Sequence, residues 1–542
     1  MNQKSMSKKK ETESAPHTLL SGSIINAVLT LFSRLLGMFR DMATAMLFGV
    51  SASGVFDAFV LAFRLPNLFR RLFGEGAISI SFQPAFCRQR NKSPSSAWEL
   101  LTAAATMLSV ILGLLTLIGV IICVAAIALM PGSSHLIPNL TLIMLPYLFL
   151  ICQTAIFASA LQSLKSWFAP AFAPVVMNAL WLWAVICIAP KIPNPANQAY
   201  FLAVTISASA VIQLVLQIIV LRRFGYNFQR CLFNRIVPYW RRATAGWATM
   251  VIGLSAMQVC VVTDSIFAWL TCPTGTVSAV FLAERLFEFP LGLIGISVAT
   301  AVYPLLNQHA AEKNSTAINS DMNQAVHLAL FWGVPATAGL ILLGLPLCQI
   351  LFEHGATTPE DCKRIGTILS IYSAGVWAYC LLPILSRGFY SIGKSRIPAI
   401  VSLVTCAANA IANIILIFIL PPDVLQFVLA ATTAGFISLS AVALGVLWEF
   451  HRPMGALRNT TAGGTRVLGY IGATILMYAA GSGILALLPD EPSVTSRLVR
   501  SLAAFVICLT VYFSAAYVLI SNQPNRSPEE IATATDSEPA KK

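Results

Sequence analysis

The chain has 542 residues, of which 57% are hydrophobic and only 11% are charged. This composition excludes an ordinary soluble domain and is typical of a polytopic membrane protein. The formal net charge is +13, so its distribution along the chain decides which partners it suits. The twelve cysteines form no CxxC pair and mostly lie in apolar runs, so neither a disulfide framework nor a structural metal site is predicted.

The first eighteen residues are polar and basic. We expect residues 1–18 to remain as a cytoplasmic extension, because the apolar run after them is too long and too charged for a cleaved signal peptide. Fourteen stretches of about 20 residues or more follow, each long enough to cross a bilayer. They lie near 20–48, 54–87, 97–131, 137–163, 168–189, 199–221, 244–271, 276–305, 322–352, 364–391, 397–420, 424–450, 464–488 and 497–520.

The loops between these spans alternate in charge. If the first loop is outside, the inside connections hold most of the loop lysines and arginines, including six arginines and no acid in 222–242. The opposite loops are nearly bare or lean acidic, as in 353–361. This asymmetry predicts that both termini are cytoplasmic. It also explains the basic excess, so nucleic acid is not expected as a partner.

The two halves of the chain resemble each other. Ala62–Leu65 recurs as Ala283–Leu286, and 163–166 recurs as 391–395, at offsets of about 220 to 229 residues. We therefore predict an all-α polytopic membrane fold of about 14 transmembrane helices, with two parallel six-helix repeats plus two C-terminal helices. Such paired bundles are a transporter layout, in which one bundle rocks against the other. The predicted parts are an N-lobe (19–221), a basic cytoplasmic linker (222–243), a C-lobe (244–450), two further spans (464–520) and a polar cytoplasmic tail (521–542).

Charged side chains interrupt the first two spans. They are Arg34, Arg40, Asp41, Asp57, Arg64, Arg70, Arg71 and Glu75. A charge near the bilayer centre costs from about 2.5 to more than 10 kcal/mol, so these groups need partners or a ligand. One interpretation is internal ion pairing, such as Arg40 with Asp57, that only fastens helices together. The other is an anionic cargo, because the planar fork of arginine suits bidentate contacts with phosphate.

Helical periodicity groups these charges further. On the second span it places Asp57, Arg64, Asn67, Arg71 and Glu75 on one face, and it favours Arg71 over Arg70. On the eighth span Glu284, Arg285 and Glu288 fall within about 100°. Arg34, Arg64 and Arg285 lie near mid-membrane, where the two repeats are expected to meet. A phosphate-bearing amphiphile is therefore the predicted cargo.

A second polar group lies in the later spans. Asp264 is a lone acid in the seventh span, Asn409 and Asn413 lie one turn apart in the eleventh, and Thr432 follows in the twelfth. Carboxylate, amide and hydroxyl oxygens suit a hard cation, so these residues are a candidate monovalent-cation site. Interhelical hydrogen bonding by small polar residues is the alternative interpretation.

The sequence predicts neither a catalytic site nor a nucleotide-binding site. Residues 388–395 match GxxxxGK[ST], but an apolar helix precedes them where a P-loop needs a strand, so no nucleotide is expected. The segment 353–364 is predicted to be an external loop without a chemical role. An enzyme acting on a polyprenyl phosphate would need loop carboxylates clustered at one membrane face, and the sequence has none. The protein is therefore expected not to be an enzyme.

Four segments carry a resemblance to a known family: 33–41, 57–59, 63–77 and 284–290. With fourteen spans from about 21 to 522, the chain resembles the MurJ (MviN) family of flippases for the peptidoglycan precursor lipid II. That family belongs to the multidrug/oligosaccharidyl-lipid/polysaccharide exporter superfamily. The resemblance implies transport of lipid II from the inner to the outer leaflet of the bacterial cytoplasmic (inner) membrane, for cell-wall synthesis and cell shape. A cation-coupled exporter of drugs or of another lipid-linked oligosaccharide shares the architecture and is the alternative.

The resemblance also implies roles for single residues. Arg34, Arg40, Arg70 and Arg285 would line a central cavity and engage the pyrophosphate and headgroup, supported by Asp41, Asp57, Asn67 and Glu75. Arg64 stands where a lysine is common and Glu284 where an aspartate is, and both replacements keep the sign of the charge. The resemblance thus implies Arg70 where helical periodicity favours Arg71.

The remaining implications concern ions and partners. Asp264, Asn409, Asn413 and Thr432 resemble the sodium site of some members, with Asn413 in place of a carboxylate. No cofactor is expected, and the energy would come from Na⁺ or H⁺ coupling or from the membrane potential. The expected partners are lipid II, an undecaprenyl-pyrophosphate-linked muropeptide, and membrane lipids, with the protein acting as a monomer.

Overall fold

A computed structural model describes residues 3–70, 78–129, 135–227, 247–453, 460–488 and 493–521. These ranges are helical apart from short turns, and no strand occurs in them. The predicted all-α fold is therefore confirmed. The predicted linker beyond residue 227 and the tail beyond residue 521 lie outside the described residues.

The helices follow one another with short connections. They are α1 (Gln3–Phe48), α2 (Val55–Phe69), α3 (Ile78–Lys92), α4 (Pro94–Leu129), α5 (Leu136–Ser163), α6 (Phe168–Trp183), α7 (Pro195–Arg223), α8 (Trp247–Thr271), α9 (Thr276–Pro290), α10 (Ser297–Ala311), α11 (Ser315–Phe352), α12 (Pro359–Ser373), α13 (Val376–Ser391), α14 (Arg396–Ile419), α15 (Pro422–His451), α16 (Thr460–Leu487) and α17 (Val494–Ser521). A π-helical turn, Leu291–Ile296, joins α9 to α10.

Most of these helices are long and apolar enough to cross a membrane. Among the described residues ten spans meet that test, one of them formed by α9 and α10 together, and α12 with α13 makes an eleventh that is bent by 44°. The three other predicted spans coincide with α1, with the pair α2 and α3, and with α8. Each of the fourteen predicted spans thus has a helical counterpart in the described ranges.

Burial differs sharply between the spans. The most apolar window of α4 is only 11% buried, whereas that of α5 is 67% buried. Exposed apolar side chains such as Val110 and Leu114 on α4 therefore suit contact with lipid. Helix α5 packs against α2, α3, α4 and α7 and lies at the centre of its part of the molecule.

Local sequence explains where some helices begin. Asn194 precedes α7, and its side-chain oxygen accepts a hydrogen bond from the backbone N–H of Ala196 at 2.8 Å. Pro195 occupies the first helical position, where its missing N–H costs nothing. These two signals fix the start of α7.

The chain divides into two compact units. The first unit comprises Met1–Arg285, Leu351–Ile368 and Ser395–Phe436, and the second comprises Leu286–Ile350, Leu369–Lys394 and Ile437–Lys542. In the first unit α1 packs on α6, and α8 packs on α2 and α14. In the second, α16 packs along α17, and Tyr512 donates a hydrogen bond to the carbonyl oxygen of Phe331. The predicted lobe boundaries stay a prediction.

Candidate substrate and cation sites

The arginine-rich cluster begins on α1, in the first unit. Arg40 is 6% exposed, and its Nε and Nη2 donate to Oδ1 of Asp41 at 2.8 and 2.5 Å. Its Nη1 donates to Oδ1 of Asn178 at 2.8 Å, and its guanidinium lies 4.2 Å from the centre of the Trp181 ring. Neighbours from α6 therefore hold the guanidinium in place. The ion pair therefore joins Arg40 to Asp41. The pair of Arg40 with Asp57, which the sequence suggested as an example, does not form.

Asp41 also contacts a second arginine. Nε of Arg285, on α9, lies 3.2 Å from Oδ2 of Asp41, and the Arg285 guanidinium lies 4.6 Å from the centre of the Phe281 ring. One buried carboxylate thus lies between two arginines, which leaves this trio with a net positive charge. Because ion pairing consumes one charge of each sign, the surplus positive charge suits an anionic ligand.

Arg64 also has more hydrogen-bond donors than its neighbours among the described residues satisfy. It is 6% exposed, and its Nη1 lies 3.0 Å from Oε2 of Glu284. Its Nε and Nη2 are buried, and neither has a hydrogen-bond partner among the described residues. Nε and Nη2 form one edge of the guanidinium fork, the edge that binds phosphate or carboxylate in a bidentate manner. Leaving these donors unsatisfied is costly, so the geometry suits an incoming oxyanion.

Asp57 is engaged in structure. Its carboxylate accepts hydrogen bonds from the backbone N–H groups of Gly275 at 2.5 Å and Ser278 at 2.7 Å, and from the Ser278 hydroxyl. These donors lie at the N-terminus of α9, where backbone N–H groups have no helical partner and the helix dipole favours a negative charge. The burial of Asp57 is thereby explained. Its predicted role toward substrate stays a prediction.

The remaining predicted substrate residues vary in placement. Arg34 is exposed on α1, and Nε of Arg70 donates to Oδ1 of Asn67 at 3.1 Å. Glu288 lies half-buried in the second unit. Arg71 and Glu75 lie outside the described residues, so the choice between Arg70 and Arg71 stays open.

A hub that the sequence did not reveal is centred on Arg364, in the first turns of α12. Its guanidinium donates to the carbonyl oxygens of Pro273 (3.1 Å) and Thr274 (2.7 Å). It also donates to the hydroxyl of Thr276 and to Oε1 of Gln426, both at 2.5 Å. These partners lie at helix ends that the sequence placed on the external side. We name Arg364 and these four residues the external clasp.

Neighbouring contacts extend the clasp. Ser51 donates to Oδ1 of Asp361 at 2.5 Å, and Thr357 donates to the carbonyl oxygen of Ala45 at 2.9 Å. Gly275 has φ +91°, and a Cβ there would lie 2.6 Å from Oγ of Ser51, so only glycine fits this close approach. The segment 353–364 therefore has a structural role, where the sequence predicted a loop without chemistry.

A cavity of about 430 Å³ opens beside the clasp, lined by Asp57, Trp269 and Cys272 among others. Cys272 lies in the predicted external loop after α8. Burial raises the pKa of its thiol above the usual value, and the charge of Arg364 opposes this shift. The thiol therefore ionises less readily than an exposed cysteine.

The candidate cation residues do come together, also within the first unit. Oδ1 of Asp264 accepts hydrogen bonds from Nδ2 of Asn409 at 3.0 Å and Nδ2 of Asn413 at 2.8 Å. Thr432 donates to Oδ1 of Asn413 at 2.7 Å. Thr433, which was not among the predicted cation ligands, donates to Oδ2 of Asp264 at 2.8 Å. Its position beside Thr432 was the only signal available from the sequence.

This network could hold a small cation after a local rearrangement. The amide nitrogens now face Asp264, whereas a cation needs the amide oxygens. Oδ1 of Asn409 is buried without a hydrogen-bond partner in the described residues, which makes it an available ligand. No group of three or more histidine, cysteine or acidic residues suited to a transition metal occurs among those residues. The donor set fits Na⁺ better than a softer ion.

Comparison with known proteins shows which family this chain resembles along most of its length. The family model described as lipid II flippase MurJ matches residues 44–502. A probable lipid II flippase MurJ of Bdellovibrio bacteriovorus is 28% identical over 529 residues, which cover 94% of this chain and 96% of the relative. A probable lipid II flippase MurJ of Vibrio cholerae is 30% identical over 419 residues, 73% of this chain and 77% of the relative.

Solved structures show a similar fold. A lipid II flippase MurJ in an inward closed conformation matches with a TM-score of 0.72 at 23% identity, over 92% of this chain and 99% of that one. An inward-facing multidrug resistance MATE family transporter of the MOP superfamily matches with a TM-score of 0.63 at 12% identity, over 79% of this chain and 97% of that one. At these identities the likeness concerns the fold alone.

Proposed function

Because the chain belongs to the MurJ family of lipid II flippases, we propose that it moves lipid II from the inner to the outer leaflet of the bacterial inner membrane by alternating access. The observation that carries the proposal is the buried Nε/Nη2 edge of Arg64, which has no hydrogen-bond partner among the described residues. Arg64 pairs with Glu284, the residue before Arg285 of the Arg40–Asp41–Arg285 trio. A pyrophosphate supplies the anionic oxygens that these donors lack. Ion pairing that only fastened the helices together would leave this buried edge at an energetic cost, whereas an oxyanion would satisfy it.

The cargo is amphiphilic, so its polar headgroup and its apolar tail need different environments during transport. The arginines bind the pyrophosphate and headgroup, while the polyprenyl tail stays in the surrounding lipid. Arg34 and Arg70 add positive charge to the same site, as the family resemblance implies. The two lobes then rock, and the headgroup is released on the other side.

The external clasp fits this cycle. The clasp lies within the second repeat, and Nη1 of Arg364 reaches Oγ of Ser51 in the first repeat at 3.4 Å. Beside it, Ser51 and Asp57 of the first repeat contact Asp361 and Ser278 of the second. For the headgroup to leave outward, these contacts must separate. These contacts between the repeats therefore act as the outer closure, and the clasp, which positions Arg364 for one of them, sets part of the free energy of opening.

The energy comes from an ion gradient or from the membrane potential. Na⁺ at Asp264, Asn409, Asn413 and Thr432 is the form of coupling that we propose, with H⁺ or the potential alone as variants. Asp264 lies within electrostatic range of both Glu284 and Arg64. A cation bound at Asp264 therefore changes the field at the Arg64–Glu284 pair, which gives a physical route from ion to cargo.

The proposal extends to topology and assembly. Both termini face the cytoplasm, the protein works as a monomer, and no nucleotide is used. No covalent bond of the cargo is made or broken, so the lipid II recovered after transport is chemically intact.

The test measures lipid II exposed on the outer face of cells that are depleted of their own flippase and carry this chain. Arg285→Ala is the site variant, and Arg466→Ala, which changes an exposed arginine on α16, is the matched control. We expect exposure with the wild-type chain and the control, and loss of exposure with Arg285→Ala at equal membrane levels.

Two outcomes contradict the proposal. If the wild-type chain inserts but does not restore exposure, lipid II is not the cargo. If Arg285→Ala restores exposure as fully as Arg466→Ala does, the Arg285 site does not bind the pyrophosphate, even though transport stands.

A further inference from the structure

A second cavity, of about 360 Å³, lies in the first unit between α4, α5 and α7. Its lining includes Ser109, Gln153, Phe157, Ile218, Arg222 and Tyr226, none of which belongs to the predicted substrate or cation sites. On α7 the lining runs from Leu214 to Arg222, which at 1.5 Å per residue spans about 12 Å of depth. That length reaches from the headgroup zone into the hydrocarbon.

The surroundings of the cavity face lipid. Val110 and Leu114 on α4 are 62% and 59% exposed, and Val215 and Ile219 on α7 are 46% and 48% exposed. In a spanning helix such side chains contact hydrocarbon tails. The cavity is therefore reached from the bilayer.

The polar groups at the deep end of the cavity, away from Arg222, need no water to satisfy their hydrogen bonds. Nε2 of Gln153 donates to Oγ of Ser109 at 2.8 Å and to the carbonyl oxygen of Ala105 at 3.2 Å, and Ser109 donates to the same carbonyl at 2.8 Å. These donors are satisfied within the protein. An apolar chain can fill the space without stranding them.

The mouth of the cavity is held by aromatic packing. The Tyr226 ring lies 5.5 Å from the Trp98 ring and 6.1 Å from the Phe157 ring, centre to centre. Its hydroxyl lies 3.3 Å from Oγ1 of Thr102. Tyr226 is 3% exposed, so this edge is part of the packed structure and not a mobile flap.

The mouth is also basic. Arg222 lines it and is exposed, and the sequence from 222 to 242 contains six arginines and no acid. None of the described lining residues is acidic. The predicted topology puts this end on the cytoplasmic side, where anionic lipid headgroups attract basic residues.

We propose that this cavity binds a phospholipid of the cytoplasmic leaflet that has an anionic headgroup. One acyl chain fills the space between α4, α5 and α7, and the phosphate pairs with Arg222. The site is separate from the transported cargo, so it does not depend on the proposed function. Occupancy ties α7 and the start of the basic linker to α4 and α5.

The test uses the purified full-length protein in phosphatidylcholine nanodiscs that contain phosphatidylglycerol with a photoreactive acyl chain. Crosslinks are expected on the wild-type protein within 105–109, 149–157 and 214–226, and unlabelled phosphatidylglycerol should compete better than phosphatidylcholine. Arg222→Gln should lower the crosslinking affinity about fivefold, the equivalent of about 1 kcal/mol. Arg223→Gln is the matched control, because its exposed neighbouring charge does not line the cavity.

Ile218→Trp tests the shape of the cavity independently of charge. Filling the groove should abolish the crosslinks within 105–109 and leave the melting temperature near that of the wild type. Equal effects of Arg222→Gln and Arg223→Gln, unchanged crosslinks in Ile218→Trp, or equal competition by phosphatidylcholine would each overturn the proposal. Preferential displacement by lipid II would assign the cavity to the cargo and overturn it as well. The wild-type crosslink map decides the question even if a variant fails to fold.

Discussion

Arg64 combines burial with unsatisfied donors. One guanidinium nitrogen pairs with Glu284, while Nε and Nη2 have no partner among the described residues. Hydrogen bonds to charged groups contribute about 1.5 to 3 kcal/mol each. An oxyanion that satisfies both donors would therefore gain much of its affinity here.

We expect Arg64→Gln to weaken lipid II binding about 10- to 100-fold, because the charge and the bidentate edge are both lost. Arg64→Lys keeps the charge and should retain most of the transport. The measurement is lipid II binding to the purified protein, with proteoliposome translocation as the second readout. Wild-type affinity in Arg64→Gln would mean that the edge does not face the cargo.

The pairing of Arg40 with Asp41 shows why residue-scale prediction has limits. The sequence identified both residues as members of the cluster, yet the example of a fastening pair, Arg40 with Asp57, is wrong. Asp57 instead caps α9, which is more than 200 residues away in sequence. Helical periodicity gives the face of a side chain, but not the helix end that packs opposite it.

At the scale of elements, the external clasp joins the ends of α8, α9, α12 and α15 through Arg364. Arg364→Gln removes the contact with Ser51 of the first repeat and loosens the helix ends that carry Ser278 and Asp361. If these two effects contribute about 1 kcal/mol each, the open population should rise about 30-fold. The measurement is labelling of Cys272 by a membrane-impermeant maleimide added outside, in a Cys187→Ala background because Cys187 is exposed. Lys363→Gln is the control, since the partner of the Lys363 ammonium among the described residues is exposed Glu360 at 3.4 Å.

The pH dependence of this labelling has a definite sign. Burial raises the pKa of Cys272, so labelling of the wild type should increase as pH rises and the thiolate forms. Opening relieves the burial and lowers the pKa, whereas losing the charge of Arg364 raises it. Because burial is the larger cause, we expect faster labelling of Arg364→Gln at every pH. Slower labelling would show that the clasp does not close this end.

The cation network joins α8, α14 and α15. Asn413→Asp puts a second carboxylate beside Asp264, and two buried like charges repel unless a cation lies between them. We expect the variant to have a lower melting temperature than the wild type in choline chloride and to recover in sodium chloride. Thr433→Val should reduce the increase in melting temperature on adding sodium more than Thr432→Val does, because Thr433 contacts Asp264 directly. If the melting temperature of Asn413→Asp is the same in sodium chloride as in choline chloride, no cation binds at this position.

At the scale of the whole molecule, transport by alternating access requires the outer contacts to break. Ser51 and Asp361, which share a hydrogen bond, come from different predicted repeats. A short bifunctional thiol crosslinker between Ser51→Cys and Asp361→Cys should stop translocation in proteoliposomes, and reduction should restore it. Each single-cysteine variant serves as its control. Undiminished transport by the crosslinked protein would contradict a cycle that opens at this end.

The sequence by itself determined the fold class and the family, and it identified Arg40, Asp41, Arg64, Glu284 and Arg285, which the structure joins by ion pairs. Apolar runs of bilayer length can only be helices in lipid, and arginines in such runs stand out against their surroundings. The repeat pattern and the loop charges predicted the topology by the same reasoning. These are local signals, so they are legible without a structure.

Only the tertiary structure decided which groups meet. It placed Asp41 between Arg40 and Arg285, and it left one edge of Arg64 without a partner among the described residues. It also added Thr433 to the network of Asp264 and made Arg364 a hub. Each of these depends on a contact between segments that are distant in sequence. Helical periodicity specifies the face of a helix but not its neighbour, because the neighbour is chosen by packing over the whole unit.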